Sequence, residues 1–120
     1  MRLEDIRFKA KRLDNGEWVE GDLLHAEKVT MIAPINGGSH VVDPSTVCQY
    51  TGMKDSRGNE LWEHDLIHFI GFKPTAEIRW VKHVCGFMVE HDDELDWIQV
   101  VLELGKIERI CSKFDKEVEV

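Results

Sequence analysis

Several things are scarce in this chain, and each scarcity removes a class of protein. No uncharged apolar run approaches the ~20 residues needed to cross a bilayer. The opening segment, MRLEDIRFKAKRL, alternates charged and apolar residues and lacks the apolar centre of a signal peptide. The expected location is therefore the cytoplasm, with no membrane partner. Cysteine is sparse: Cys48, Cys85 and Cys111 are odd in number, widely spaced and form no CxxC pair. In a reducing compartment they read as small side chains, neither disulfides nor metal ligands.

Positive charge is also short. Fifteen Lys and Arg stand against 23 Asp and Glu, for a formal net charge of −8. Proteins hold nucleic acid mainly by neutralising phosphates with cations. The basic cluster Arg7, Lys9, Lys11 and Arg12 is flanked by acids, so direct nucleic-acid binding is disfavoured. The glycine-rich stretch Asn36-Gly37-Gly38-Ser39 lacks the following helix and lysine of a phosphate-cradling loop.

What remains is 120 residues, 42% hydrophobic and 32% charged, the composition of a single globular domain. Residues 6–13 alternate with the two-residue period of a half-buried strand, Ile6, Phe8 and Ala10 against Arg7, Lys9 and Lys11. Asp14-Asn15-Gly16 is hairpin-turn chemistry. A second strand is expected over 17–24, with Gly21 marking a bulge or a close backbone approach. A third follows over 28–35; Asn36–Ser39 is another turn, and His40–Asp43 closes the segment before Pro44. Asp43 and Pro44 suit the cap and first position of one helical turn ending near Cys48. In Lys54–Glu60, Asp55 can fold back on backbone amides and Gly58 can take positive φ, so this segment reads as a tight, solvated turn. Further strands are expected over 65–70, 76–81, 86–91 and 106–114. Residues 93–104 fit either a strand or a short helix with Leu95, Ile98 and Leu102 on one face. The fold class is mainly β, antiparallel strands and hairpins with at most one or two short helices. The second half has the count of a small barrel of about five strands.

The chemically capable residues form no established pattern. His64 and His68 flank Asp65 and share one side of a strand or helix. His83, Cys85 and His91 do not complete a zinc spacing with them. Cys85 near His83 invites a thiolate reading, but that also needs an oxyanion hole and an orienting group. The acids Glu90, Asp92, Asp93, Glu94 and Asp96 lack the glycine of a calcium loop. They read as a solvated acidic loop or as a surface for a basic partner. No cofactor, metal or catalytic residue is expected. Of the four tryptophans, Trp62 is expected in the core and Trp97 at the surface or in an interface.

Two stretches carry a resemblance: Val42-Asp43-Pro44-Ser45-Thr46-Val47, and Gln49-Tyr50-Thr51-Gly52-Met53-Lys54-Asp55 followed by Gly58-Asn59-Glu60-Leu61-Trp62-Glu63-His64-Asp65-Leu66-Ile67. Together they resemble the YopX-like family, small proteins encoded by bacteriophages and prophages. Ile6–Ala10 is similar to its opening strand and Gly86–Glu90 to a later one. The resemblance implies one domain spanning 1–120, with an N-terminal β lobe at about 1–50, a signature turn at 51–63 and a lobe at about 64–115. It also implies an SH3-like barrel in the second half and a bacterial host cytoplasm. It brings no catalytic residues. His64 stands where the family customarily has glycine, and His68 where it has lysine. That exchange suggests that positive φ is not required at residue 64, or that the turn has relaxed.

The function expected on these grounds is a non-enzymatic protein-interaction module, binding a host or phage protein or a second copy of itself. Its candidate surface is Trp97 with Asp92, Asp93, Glu94 and Asp96. The alternative is an acidic regulator, a nucleic-acid mimic that blocks a DNA-binding protein. An enzyme using His64, Asp65 and His68, or His83 and Cys85, requires those groups to converge in a pocket.

Overall fold

A computed structural model of the chain describes residues 5–69, 76–91, 94–98, 101 and 107–115. These residues form short antiparallel strands: β1 (Phe8–Lys11), β2 (Trp18–His25), β3 (Thr30–Ala33), β4 (His40–Val42), β5 (Cys48–Lys54), β6 (Glu60–Trp62), β7 (Asp65–Phe69), β8 (Ala76–Val81), β9 (Gly86–His91), β10 (Glu94–Trp97) and β11 (Ile107–Ser112). They pair as one sheet of order β4-β3-β2-β1-β5-β6 and another of order β10-β9-β8-β7-β11. Two compact units result, Met1–Tyr50 and Thr51–Val120. Among the described residues no helix is long and apolar enough to cross a membrane.

In the first unit the alternation of β1 does what its sequence requires. Ala10 is fully buried and joins Ile32 and Val42 in a small core, with Phe8, Val19, Leu23 and Val47 packed on it. Fully burying an aliphatic side chain contributes roughly 1.5–3 kcal/mol, so this core is modest. On the other face of β1, the ammonium groups of Lys9 and Lys11 lie 4.6 and 5.5 Å from the centre of the Trp18 ring. A methyl group on Gly21 would run into the Ala33 carbonyl, so the close approach expected there is present. Asp43 caps a 3-10 turn over Pro44–Thr46, accepting the Ser45 N–H at 3.0 Å. The Thr46 hydroxyl donates to the Asp43 carbonyl at 2.7 Å and accepts the Lys11 N–H at 2.9 Å.

In the second unit Leu61, Ile67, Ala76, Ile78, Val89, Ile98, Val101 and Ile107 form a larger core. Ile67, Ala76, Ile78, Val89 and Ile107 come from β7, β8, β9 and β11, with registers Ile67 to Ala76, Ile78 to Val89 and Arg109 to Ile67, while Leu61 comes from β6 and Ile98 and Val101 from the helical residues after β10. The expected SH3-like barrel is corrected here: the sheet is open. Closure needs the terminal strands to pair, and among the described residues no ladder joins β10 to β11. The ambiguous segment 93–104 divides. Glu94–Trp97 is strand, while Ile98 and Val101 are helical and buried in the core.

Candidate functional site

The signature turn is a structural clamp. The turn is solvated as expected, with Lys54, Ser56, Arg57, Gly58 and Asn59 exposed, but Asp55 within it is only 7% exposed. Its Oδ1 accepts the backbone N–H groups of Arg57 at 2.9 Å and Asn59 at 2.8 Å. Its Oδ2 accepts the Asn59 side-chain amide at 3.1 Å and the Arg109 N–H of β11 at 2.8 Å. Gly58 takes φ +86°, as expected from its place in the turn. Burial pushes the Asp55 carboxyl up. The hydrogen bonds from Arg109, Asn59 and Arg57 outweigh it and hold the group below the usual carboxylate range. The Ser56 N–H donates to the Ile107 carbonyl at 3.0 Å, so the turn lies along the outer edge of β11.

Asp65 is a second buried anion, with no side-chain exposure. Its Oδ2 accepts the Trp62 N–H and the Arg109 Nε–H, each at 2.8 Å. Arg109 is therefore shared: its backbone serves Asp55 and its guanidinium serves Asp65. Burial pushes that guanidinium's pKa down, but Asp65 and, more weakly, Asp115 raise it overall. A buried ion pair of this kind is costly to break from one side, since the survivor is left charged in a low-dielectric place.

His64 sits in the turn between β6 and β7 at φ +69°. The backbone at 64 takes positive φ although the residue is histidine, contrary to the relaxed turn expected from the exchange. Neighbours hold it there. The His64 N–H donates to the Ile78 carbonyl at 2.7 Å, and its own carbonyl accepts the Lys113 N–H at 2.8 Å. The ring meets Glu77 through Nδ1 at 3.0 Å and packs edge-on against Phe114 at 5.3 Å. His68 pairs instead with Glu108 at 2.9 Å, and Arg57 also reaches Glu108. The His68 hydrogen bond, followed by the nearby Arg57 charge, lowers the Glu108 pKa against its desolvation.

The candidate catalytic groups are thus dispersed. His64, Asp65 and His68 each serve a different partner, Glu77, Arg109 and Glu108. His83 lies exposed in the 3-10 turn Lys82–Val84, and exposed Cys85 follows it at φ +50° with its thiol directed to the Lys82 carbonyl. Among the described residues no three His, Cys, Asp or Glu side chains are placed to hold a metal ion. A shallow cleft of about 400 Å³ in the first unit is lined by Ile6, Arg7, Glu20, Asp22 and Ile35 among others. Its charged groups include Arg7 and Glu20, 3.6 Å apart.

The tryptophans divide. Trp62 is 5% exposed and belongs to the interior, as expected; Trp97 is 42% exposed. The sequence reading missed Trp80, which is 45% exposed and edge-on to Phe87 at 5.1 Å. Trp97 stands opposite Met88 in the ladder, and its indole lies across Gly86. A Cβ at Gly86 would stand 2.7 Å from Trp97 Cζ3, so the absent side chain makes the seat for the ring. Leu95, two residues earlier on the same face, is 39% exposed. Asp96, between them, is exposed. Glu94 opens the strand, whereas Asp92 and Asp93 lie outside the described residues.

A strand-built fold carrying an Asp55 clamp and an Asp65–Arg109 pair accounts for the signature stretch as scaffolding. Residues 7–110 match the model of the family described as YopX protein, and the chain belongs to that family. No curated protein matches the chain at significant similarity.

Proposed function

We propose that the chain is a non-enzymatic protein-interaction module that engages another protein through the β10 side of its second sheet. One observation carries the reading: Trp97 is pre-seated on Gly86 yet 42% exposed, next to Leu95 at 39%. A rigidly held aromatic loses little side-chain entropy when a partner covers it, and tryptophan is among the residues that dominate binding energy. The polar residues of the signature stretch support the same reading, because their geometry is committed to holding backbone. Asp55 takes four hydrogen bonds, and Asp65 takes a backbone amide and a guanidinium.

The test is capture from bacterial lysate on immobilised wild-type chain and on Trp97→Ala. A truncation at an interface anchor costs about 2 kcal/mol or more, roughly a thirtyfold loss of affinity. The expected result is a partner retained by the wild type and lost from the variant while the circular dichroism of both is the same. Equal retention by the two proteins would remove the reading. So would competition by duplex DNA for the captured protein, which is the signature of the acidic mimic.

A further inference from the structure

We infer that Asn36 is a spontaneous modification site, where the side-chain amide is lost to the Gly37 backbone nitrogen and aspartate or isoaspartate remains. This goes beyond the interaction reading above and is independent of it. Three asparagines occur in the chain, and two of them, Asn15 and Asn36, precede glycine. Glycine has no Cβ to hinder its nitrogen from reaching the side-chain carbonyl of the residue before it, and its backbone turns easily. Both pairs lie in exposed turns, Asn15-Gly16 between β1 and β2 and Asn36-Gly37 between β3 and β4. The reacting pair is the same in both; the surroundings differ.

At Asn15 both reacting groups are tied. The Asn15 Oδ1 accepts the Glu17 N–H at 2.9 Å, and its Nδ2 donates to Glu17 Oε2 at 3.3 Å. The Gly16 N–H donates to the Arg12 carbonyl at 2.9 Å, and the Arg12 guanidinium holds Asp14 through bonds of 3.0 and 2.6 Å. At Asn36 only the nucleophile is tied, its Gly37 N–H donating to the Pro34 carbonyl at 3.0 Å. The Asn36 side chain makes no hydrogen bond among the described residues. Gly37 at φ +100° and Gly38 at φ +76° let the backbone swing toward it. The tip is open as well: Asn36 and Ser39 are exposed and Ile35 wholly so. Asn59 precedes Glu60 and gives its amide to Asp55 at 3.1 Å, so it lacks both conditions.

The step needs water and nothing else. A base takes the Gly37 N–H proton, the nitrogen bonds to Asn36 Cγ, and the Cγ–Nδ2 bond breaks. The leaving nitrogen takes up the proton and departs as ammonia. Water then opens the cyclic succinimide at one carbonyl to give aspartate, or at the other to give isoaspartate. Either product adds a carboxylate to the β3–β4 turn.

The experiment incubates the intact chain in mildly alkaline buffer made with heavy-oxygen water. Peptide mapping by mass spectrometry then counts labelled carboxylates at each asparagine, and enzymatic methylation counts isoaspartate. The label marks events in the folded chain and not those of the later digestion. A hydrogen bond that must break first lowers the reactive population about fivefold, so Asn36 should convert at least about fivefold faster than Asn15. In urea those ties are gone and the two rates should converge. Asn36→Gln should abolish the fast conversion and leave the slow one at Asn15, with circular dichroism unchanged. Conversion at Asn36 no faster than at Asn15 would overturn the inference. A preference that persists in urea would do the same, since flanking sequence and not the folded turn would then set it. Fast labelling that survives in Asn36→Gln would place the reaction at another residue and also overturn it.

Discussion

The two ends of the second sheet are treated in opposite ways. At β11 an internal turn occupies the outer edge, fixed by the Asp55 carboxylate and tied through Arg109 to buried Asp65. At β10 the same sheet ends in four residues carrying exposed Leu95 and Trp97, with no described strand or turn alongside. The first unit handles β4 more as the second handles β11, but with lighter means: the Leu13–Val41 backbone bond, and Thr46 binding the Lys11 N–H. Covering an edge with buried charge makes that end dependent on ionisation and on single residues. At the β10 end what the described residues present is apolar surface, Leu95 and Trp97.

The contrast can be broken at its strongest point by Arg109→Ala. It removes the guanidinium from Asp65 and leaves a buried carboxylate, and about 3–5 kcal/mol of stability should be lost in urea unfolding. A loss under about 1 kcal/mol would show that Asp65 does not depend on the pair. Asp55→Ala should cost about 2–4 kcal/mol, because the N–H groups of Arg57, Asn59 and Arg109 all lose their acceptor. That cost should depend on pH in a definite sense. Asp55 has its folded pKa below the unfolded value of about 3.9. Its stabilisation is complete above that value and is lost as acid brings the pH down through the folded pKa. The gap between wild type and Asp55→Ala should therefore close below about pH 4; a gap of constant size down to full protonation would contradict the clamp.

Smaller effects sharpen the comparison. Thr46→Val at the β4 end removes the acceptor of the Lys11 N–H and should cost about 1–2 kcal/mol, less than Asp55→Ala. Equal costs would mean that the two covered ends are equally demanding. His64→Gly and His64→Ala both delete the contacts to Glu77 and Phe114, but only glycine relaxes the positive φ. The glycine variant should be more stable than the alanine one by about 1 kcal/mol, and identical midpoints would show that the backbone at 64 carries no strain.

Local pattern made much of this fold readable. β8 and β9 fall at the positions expected from alternation, Ala76–Val81 and Gly86–His91, and the Asp43-Pro44 pair opens the short turn it should. β5 escaped because its period is broken: Tyr50 and Thr51 are consecutive yet both buried, and Gly52 follows. The clamp was half visible. Asp55 folding on Arg57 and Asn59 is local chemistry, but its third partner, Arg109, lies 54 positions away and the Asp65–Arg109 pair spans 44. No sequence window reports such distances. The positive φ at 64 was not legible from a histidine, since that backbone is held by Ile78 and Lys113 and not by residue type. The seat of Trp97 on Gly86 belongs to a cross-strand diagonal and has no signature in either segment alone.

The placement of the indoles gives the molecule a built-in optical gauge. Trp62 is shut away from water at 5% exposure, whereas Trp97 and Trp80 face it at 42% and 45%. Emission from the interior ring should be blue-shifted and resistant to iodide, that from the outer two red-shifted and quenched, with half-buried Trp18 between them. Any molecule that settles on Trp97 must dehydrate its free face, so binding should shield one class of emitter while leaving the other untouched, with no dye attached.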